Sequence, residues 1–301
     1  MIINHSNVQS LFISYRRTFE NALKLIGPGA LDGLATTVPA TTSRTELPFL
    51  GLALGMEEWI DERVARSIGT HKYAFEDKEW HQTIALERKI IEDDQYGAYS
   101  TVVQQMGAAA GLHKTELLAD LLNNARQNVP ASYGYDGVPF ISATHPVRGL
   151  AAQSNINSSG SGPWWYVADV SQPVKPLIWG PRRPIKFVSK TSLTDDSVFY
   201  KRTFVMGNDA RYNGAYGLWQ QIYGSNQTLD ATNLEAILIA MTTRRGENNK
   251  PLNIRPSHLI VPPALRFTAE RLIGLPFVSG DVQNIHHNRL QVVSSPYLTA
   301  A

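Results

Sequence analysis

Apolar residues recur every three to four positions along the first stretch of the chain. Val8, Leu11, Phe12, Tyr15, Phe19, Leu23 and Ile26 fall on one stripe. That spacing predicts an amphipathic helix, ended by Gly27-Pro28-Gly29. From there to Leu47 the chain is rich in Thr, Ala and Pro and reads as an extended arm with little to bury. Between Arg63 and Ile91 the period changes to two. Tyr73 and Phe75 alternate with Lys72, Ala74 and Glu76, and beyond Glu76-Asp77-Lys78-Glu79 the residues Trp80, Ile84, Leu86 and Ile90 share a face. This predicts two long strands joined by a charged tip. A lone two-stranded ribbon is marginal in water and needs a surface to lie on. Its own domain or a neighbouring subunit can supply that surface, and both readings stay open.

Glu92-Asp93-Asp94 suits a helix start, because carboxylates complement the positive helix N-terminus and cap its free amides. Tyr99, Val102, Val103, Met106 and Ala110 continue as its buried stripe, and Gly111 ends or bends it. A second helix follows over Thr115 to Arg126, stopped by Pro130. Loop residues dominate from Ser132 to Ser161, with Asn155 to Pro163 the most flexible-looking run. Strand-like runs follow at Trp164 to Val167, Lys175 to Trp179, Ile185 to Ser189 and Val198 to Met206. Thr232-Asn233-Leu234-Glu235 reads as a capping box opening an apolar helix that closes at Gly246. A buried strand at His258 to Val261, a helix at Ala264 to Ile273 behind Pro262-Pro263, and a last strand at Arg289 to Ser294 complete an α+β chain without internal repeats.

Composition narrows the chemistry. The 301 residues are 43% hydrophobic and 18% charged, with a net charge of +2, so no global field selects nucleic acid or membrane. Cysteine is absent, which removes disulfides, thiolate nucleophiles and Cys-based zinc sites and suits a reducing cytosol. No signal peptide is expected at Met1-Ile2-Ile3-Asn4-His5, and no apolar run approaches the roughly 20 residues of a membrane span.

Catalytic patterns fail one by one. Lys190-Thr191 lacks the glycines of a phosphate cradle, and Gly27, Gly29 and Gly33 follow a helix instead of a strand. Gly160-Ser161-Gly162 is no nucleophile elbow. His286 and His287 are adjacent and would point to opposite faces of a strand. His145, before Pro146, is read as ordering a loop through a hydrogen bond. Glu92, Asp93 and Asp94 are read as helix-capping residues, not as cation ligands. No catalytic residue, cofactor or metal is expected. Lys175, Arg182, Arg183, Lys186, Lys190, Lys201, Arg202 and Arg211 make a local basic excess, read as solvated strand faces or as contacts to phosphate or an acidic partner.

Five motifs then point one way. Ile91-Glu92-Asp93-Asp94-Gln95-Tyr96-Gly97-Ala98-Tyr99 resembles the start of the long helix in the major head subunits of Mu-like phages, the T protein family. Tyr135-Asp136-Gly137-Val138-Pro139-Phe140 with His145-Pro146 is similar to that family's next motif, with Ile141 where a second aromatic is usual. Pro173-Val174-Lys175-Pro176, Asp196-x-Val198-Phe199, and Arg211-x-Asn213 with Gly217-x-Trp219 resemble it too. The likeness runs from about Trp59 to Leu298, and the order of the motifs is more specific than any one of them.

The resemblance implies the Hong Kong 97-type capsid fold: an N-arm over 1–47, an extended hairpin (E-loop) over 48–91 and a peripheral domain over 92–228 with a spine helix at 94–111. It places a mainly axial domain at 229–287 and a C-terminal strand at 288–301 that returns to the peripheral domain. It implies a virion protein, assembled in the host cytoplasm, whose copies form hexamers and pentamers closing an icosahedral shell around double-stranded DNA. Portal, a separate scaffold or protease, and a decoration protein are the other expected partners, and no membrane is. A compartment shell of the same fold and a soluble hydrolase are the rival readings. The contact residues expected on the hairpin are Trp59, Tyr73, Phe75 and Trp80 as aromatic anchors. Arg63, Arg66, Lys72, Glu76, Asp77, Lys78 and Glu79 would set register. The physical expectation is that arm and hairpin complete their burial only on another copy.

Overall fold

The computed structural model describes residues 5–47, 73–93, 97–246, 249–279 and 282–299. The chain begins with α1 (His5–Ile26), β1 (Ala35–Thr37), β2 (Arg44–Glu46), β3 (Ala74–Glu76) and β4 (Lys78–Glu87), then α2 (Arg88–Asp93) and α3 (Ala98–Asn124). Next come β5 (Ile156–Asn157), β6 (Trp165–Ala168), β7 (Leu177–Lys190), α4 (Asp196–Lys201), β8 (Thr203–Tyr216) and β9 (Ile222–Ser225). It closes with α5 (Ala231–Thr242), β10 (His258–Val261), α6 (Arg266–Gly274), β11 (Phe277–Ser279), β12 (Val282–Gln283) and β13 (Gln291–Ser294).

The helix expected at the N-terminus is α1, and Gly27 ends it with φ +64°. Its stripe is not left for a neighbour. Val8, Phe12, Tyr15 and Phe19 are buried with Val103, Met106 and Ala110 of α3 and with Phe187, Phe204 and Met206 of the sheet. The two helices approach closely because α3 carries glycine at the contact. A Cβ on Gly107 would stand 2.5 Å from the Phe19 carbonyl oxygen, and one on Gly111 3.1 Å from Ile26. Gly111 therefore does not end the helix. The two helices expected from the sequence are one element of 27 residues. Nor does Asp93 cap it: the N-cap is Gly97 at φ +64°, Asp93 closes the short α2, and Asp94 lies outside the described residues. Val102, expected inside, is 37% exposed.

α3 bridges two bodies. Its first half faces a four-stranded sheet of order β1-β7-β8-β4, in which β1 runs parallel to β7 and the rest are antiparallel. Two runs expected as separate strands, Lys175 to Trp179 and Ile185 to Ser189, are merged in the 14-residue β7. The run from Val198 splits instead into α4 and β8, with Arg202 turning left-handed between them at φ 52°. The second half of α3 gives Leu118, Ala119 and Leu122 to a core with Tyr166, Trp219, Ile222 and Ile260. That core lies under a five-stranded sheet of order β13-β10-β6-β9-β5. Leu234, Ile237 and Met241 of α5 and Ala269 and Ile273 of α6 are buried with Trp165, Val167, Leu259 and Val261 of the same sheet. Its strands come from both sides of residue 228, so pairing crosses the border expected there. β13 joins β10 in this sheet, and only beyond it does the tail return to α3, where Asn123 donates to the Tyr297 carbonyl and accepts from Thr299.

α5 is capped by Asp230, whose side chain accepts from the Asn233 amide, and not by Thr232. The segment 30–47 buries more than its composition suggests. Leu31, Leu34, Ala35, Ala40 and Leu47 are all buried, and β1 completes the four-stranded sheet. Among the described residues no helix is long and apolar enough to cross a membrane.

Candidate subunit-contact site

The expected hairpin does not close at Glu76-Asp77-Lys78-Glu79. β3 pairs with β2, and β4 pairs with β8, so the two strands that Asp77 joins belong to different sheets. Asp77 is a one-residue joint. Its carboxylate is fully covered; Arg211 donates through Nε at 2.6 Å, and Arg182 through Nη1 at 3.1 Å. Burial pushes the Asp77 pKa up, but the two guanidiniums outweigh it and hold the carboxyl below its ordinary value. The Ser43 carbonyl accepts from the Asp77 amide, and the Glu76 carbonyl accepts from Asn213.

The proposed anchors divide. Phe75 is buried with Ala40, Leu47, Ile178 and Ala215, and its ring fills the space over Gly180. The Tyr73 hydroxyl oxygen accepts from the Tyr216 amide N–H at 3.1 Å, and burial raises its pKa to about 12. Trp80 is half-buried, 4.4 Å from the His113 ring, and donates Nε1–H to the Tyr212 carbonyl. These three side chains are packed within their own subunit. Phe75 is buried there, while Tyr73 and Trp80 keep part of their surface open. Glu76, Lys78 and Glu79 are exposed. Trp59, Arg63, Arg66 and Lys72 lie outside the described residues.

Three residues of the basic run are engaged in ion pairs at home. Arg182 and Arg211 hold Asp77, and Arg183 pairs with Asp209 at 2.6 Å. Large apolar side chains also emerge elsewhere, in two groups besides single residues such as Leu25 and Ile239. Phe199 (69% exposed) and Tyr200 (77%) stand on α4, at the end of the β7–β8 pair. Phe267, Phe277, Val282 and Ile285 are exposed around α6 and the β11–β12 ribbon. No sequence motif singled out Tyr200 or the last four, because an apolar residue at a loop end has no period to betray it.

The motif residues converge on a buried hub instead. His145 is fully buried, stacked on Trp219 with ring centroids 3.9 Å apart, and its Nδ1 is 2.6 Å from Asp136. Its Nε2 is 3.0 Å from the Asn155 Oδ1. Asn155, from the run read as flexible, is completely buried and donates to the Phe140 carbonyl while accepting from the Ser142 amide. The loop-ordering role expected of His145 is what the geometry gives. Arg244 closes the hub from just beyond the end of α5, donating to the Gln220 (2.7 Å) and Ser154 (2.8 Å) carbonyls with its guanidinium 5.2 Å from the Trp219 ring centre. Burial lowers its pKa to about 10, which leaves it charged at neutral pH. Asn155, as a partner of His145, and Arg244, as a clamp on the loops around it, were not legible in the sequence. No group of His, Asp and Glu able to hold a metal occurs among the described residues.

Comparison with known proteins explains why these groups organise packing and not a reaction. Residues 8–298 match the family model described as Mu-like prophage major head subunit gpT. The chain is 33% identical to the Mu-like prophage FluMu major head subunit of Haemophilus influenzae, over 88% of each chain. It is 31% identical to the major capsid protein of Escherichia phage Mu, over 99% of this chain and all of that one. Among solved structures it superposes on a chain of the bacteriophage JBD30 procapsid with a TM-score of 0.83, at 31% identity, over 98% of this chain and all of the other. A chain of the JBD30 capsid decorated with minor capsid protein trimers gives 0.77 at 25% identity, over 92% and 93% of the two chains. The fold is thus the α+β fold of phage capsid subunits, the Hong Kong 97 type. The chain belongs to the Mu-like prophage major head subunit family.

Proposed function

We propose that this chain is the major capsid protein of a tailed phage and builds the icosahedral shell around its genome. The observation that carries this is agreement of sequence and fold over nearly the whole chain with head and capsid subunits. The chain is a structural shell protein and not an enzyme, in keeping with its family.

The finer roles follow from shape. The body with α3 and the four-stranded sheet is read as the peripheral domain, with α3 as spine helix. The body on the five-stranded sheet is read as the axial domain, whose exposed Phe267, Phe277, Val282 and Ile285 would meet other copies at capsomer centres. β2 and β3 form the base of the E-loop, directed by the Asp77 joint. Hexamers and pentamers are the expected capsomers. Portal, a scaffold or protease, and a decoration protein like the minor capsid trimers on the JBD30 capsid are the expected protein partners. Packaged double-stranded DNA is contacted without sequence readout. Shell assembly takes place in the host cytoplasm.

The test is electron microscopy of the expressed protein, alone and with a candidate scaffold. Closed shells of uniform diameter are expected. A monodisperse small oligomer under both conditions would contradict the proposal.

A further inference from the structure

β4 is the outermost strand of the four-stranded sheet and is ten residues long. One of its edges is fully paired with β8, from Lys78 opposite Tyr212 to Glu87 opposite Thr203. Among the described residues no backbone hydrogen bond reaches the other edge. The phase of the ladder says which groups are left. The amide of Arg88 donates to the Arg202 carbonyl in register with β4–β8, so Trp80, Gln82, Ile84 and Leu86 turn their peptide groups toward β8. Glu79, His81, Thr83 and Ala85 turn theirs outward. A long unpaired edge is a template for another strand unless it is blunted. Among the described residues no proline, bulge or covering element blunts it.

A second feature lies alongside. A half-open crevice of about 250 Å³ separates α3 from the inner face of the edge, lined by Trp80, Gln82, Ala109, His113, Glu116 and Tyr212 among others. Trp80 and Ile84 are only half-buried on this side. Strand addition uses this combination: main-chain bonds from the edge, and a recess for alternate side chains.

We infer that β4 pairs antiparallel with β4 of a second copy of this chain across a two-fold axis centred on Gln82. The inference rests on the shell reading above. The occupant follows from self-complementarity. Centring on Gln82 sets Glu79 opposite Ala85 and His81 opposite Thr83, the residues whose peptide groups face outward. It sets Trp80 of one copy opposite Ile84 of the other, covering the half-buried apolar surface of both. Moving the centre to Thr83 would set Glu79 opposite Glu87, and like charges directly opposite destabilise a pair. The contact is isologous, so it closes as a dimer instead of propagating.

The chain has no cysteine, which gives a clean test. At the proposed centre the two Gln82 residues form a non-hydrogen-bonded pair, with Cα atoms roughly 4.5 Å apart. That spacing is within disulfide reach. Shells of Gln82→Cys should give disulfide-linked dimers on mild oxidation, while shells of Val188→Cys, exposed on the same sheet, should stay monomeric on the gel. Adding Thr83→Pro removes an outward amide without touching the β8 ladder. It should leave the melting temperature of the subunit within a few degrees and abolish the cross-link. Normal Gln82→Cys shells without dimers overturn the inference and leave the shell reading standing. So does Thr83→Pro blocking assembly while Gln82→Cys never cross-links, which would assign the edge to a different chain. No shells from the unsubstituted protein would overturn both.

Discussion

Arg211 donates its Nε–H to the Asp77 carboxylate at 2.6 Å, across the single residue at which the chain leaves one sheet for another. The pair fixes the direction of the β2–β3 ribbon relative to the body. Asp77 has a lowered pKa, so its contribution is complete above the ordinary aspartate value near 3.8 and is lost as the pH falls through the folded value. Asp77→Asn should therefore melt below the parent at pH 7, with the gap closing toward pH 3. Calorimetry at several pH values checks this, and a gap independent of pH would count against the clamp.

Arg244 holds carbonyls of two loops from a buried position, and among the described residues no carboxylate pairs with it. Truncation leaves those acceptors unpaired. Arg244→Ala should cost about 3 kcal/mol, and Arg244→Lys should recover only part, since an ammonium lacks the planar fork. Urea midpoints of the two variants decide it. Equal stability of Lys and Arg would mean that charge alone matters.

Asn155 is replaceable by nothing smaller without orphaning several partners. Asn155→Ala strips hydrogen bonds from the Phe140 carbonyl, the Ser142 amide and the His145 ring. A loss of roughly 2–4 kcal/mol is expected, with Asn155→Asp no better because the carboxylate cannot donate to carbonyls. Chemical denaturation followed by tryptophan fluorescence reads it, as Trp219 stacks on His145.

Gly107 sets the distance between α1 and α3. Gly107→Ala places a methyl 2.5 Å from the Phe19 carbonyl oxygen and should cost about 1–3 kcal/mol despite the better helix propensity of alanine. Gly33→Ala, where a Cβ meets nothing, is the control. Hydrogen exchange should show α1 loosening first in the Gly107 variant.

The apolar pattern read from the chain alone located α1, β6, α5, β10, α6 and β13: the helices repeat with one buried face, and β6 and β10 are short apolar runs buried on both. It also excluded catalysis by motif, and the ordered motifs pointed to the family. The α+β class and shell role needed no coordinates. Partnership between elements was not available at that level. Period two across 73–87 is real, although the run expected to reach Ile90 turns into α2 at Arg88, yet nothing local says that β3 and β4 pair with β2 and β8 instead of with each other. Glycine at 111 reads as a stop until α1 is seen to press against it. Asn155 reads as loop because its buried bonds are made to residues up to 64 positions away. Hydrophobic period is a property of one element and its environment's polarity, so the sequence by itself determined what each element buries. Which element supplies the opposing surface is a long-range choice among many apolar faces, and only the tertiary structure decided it.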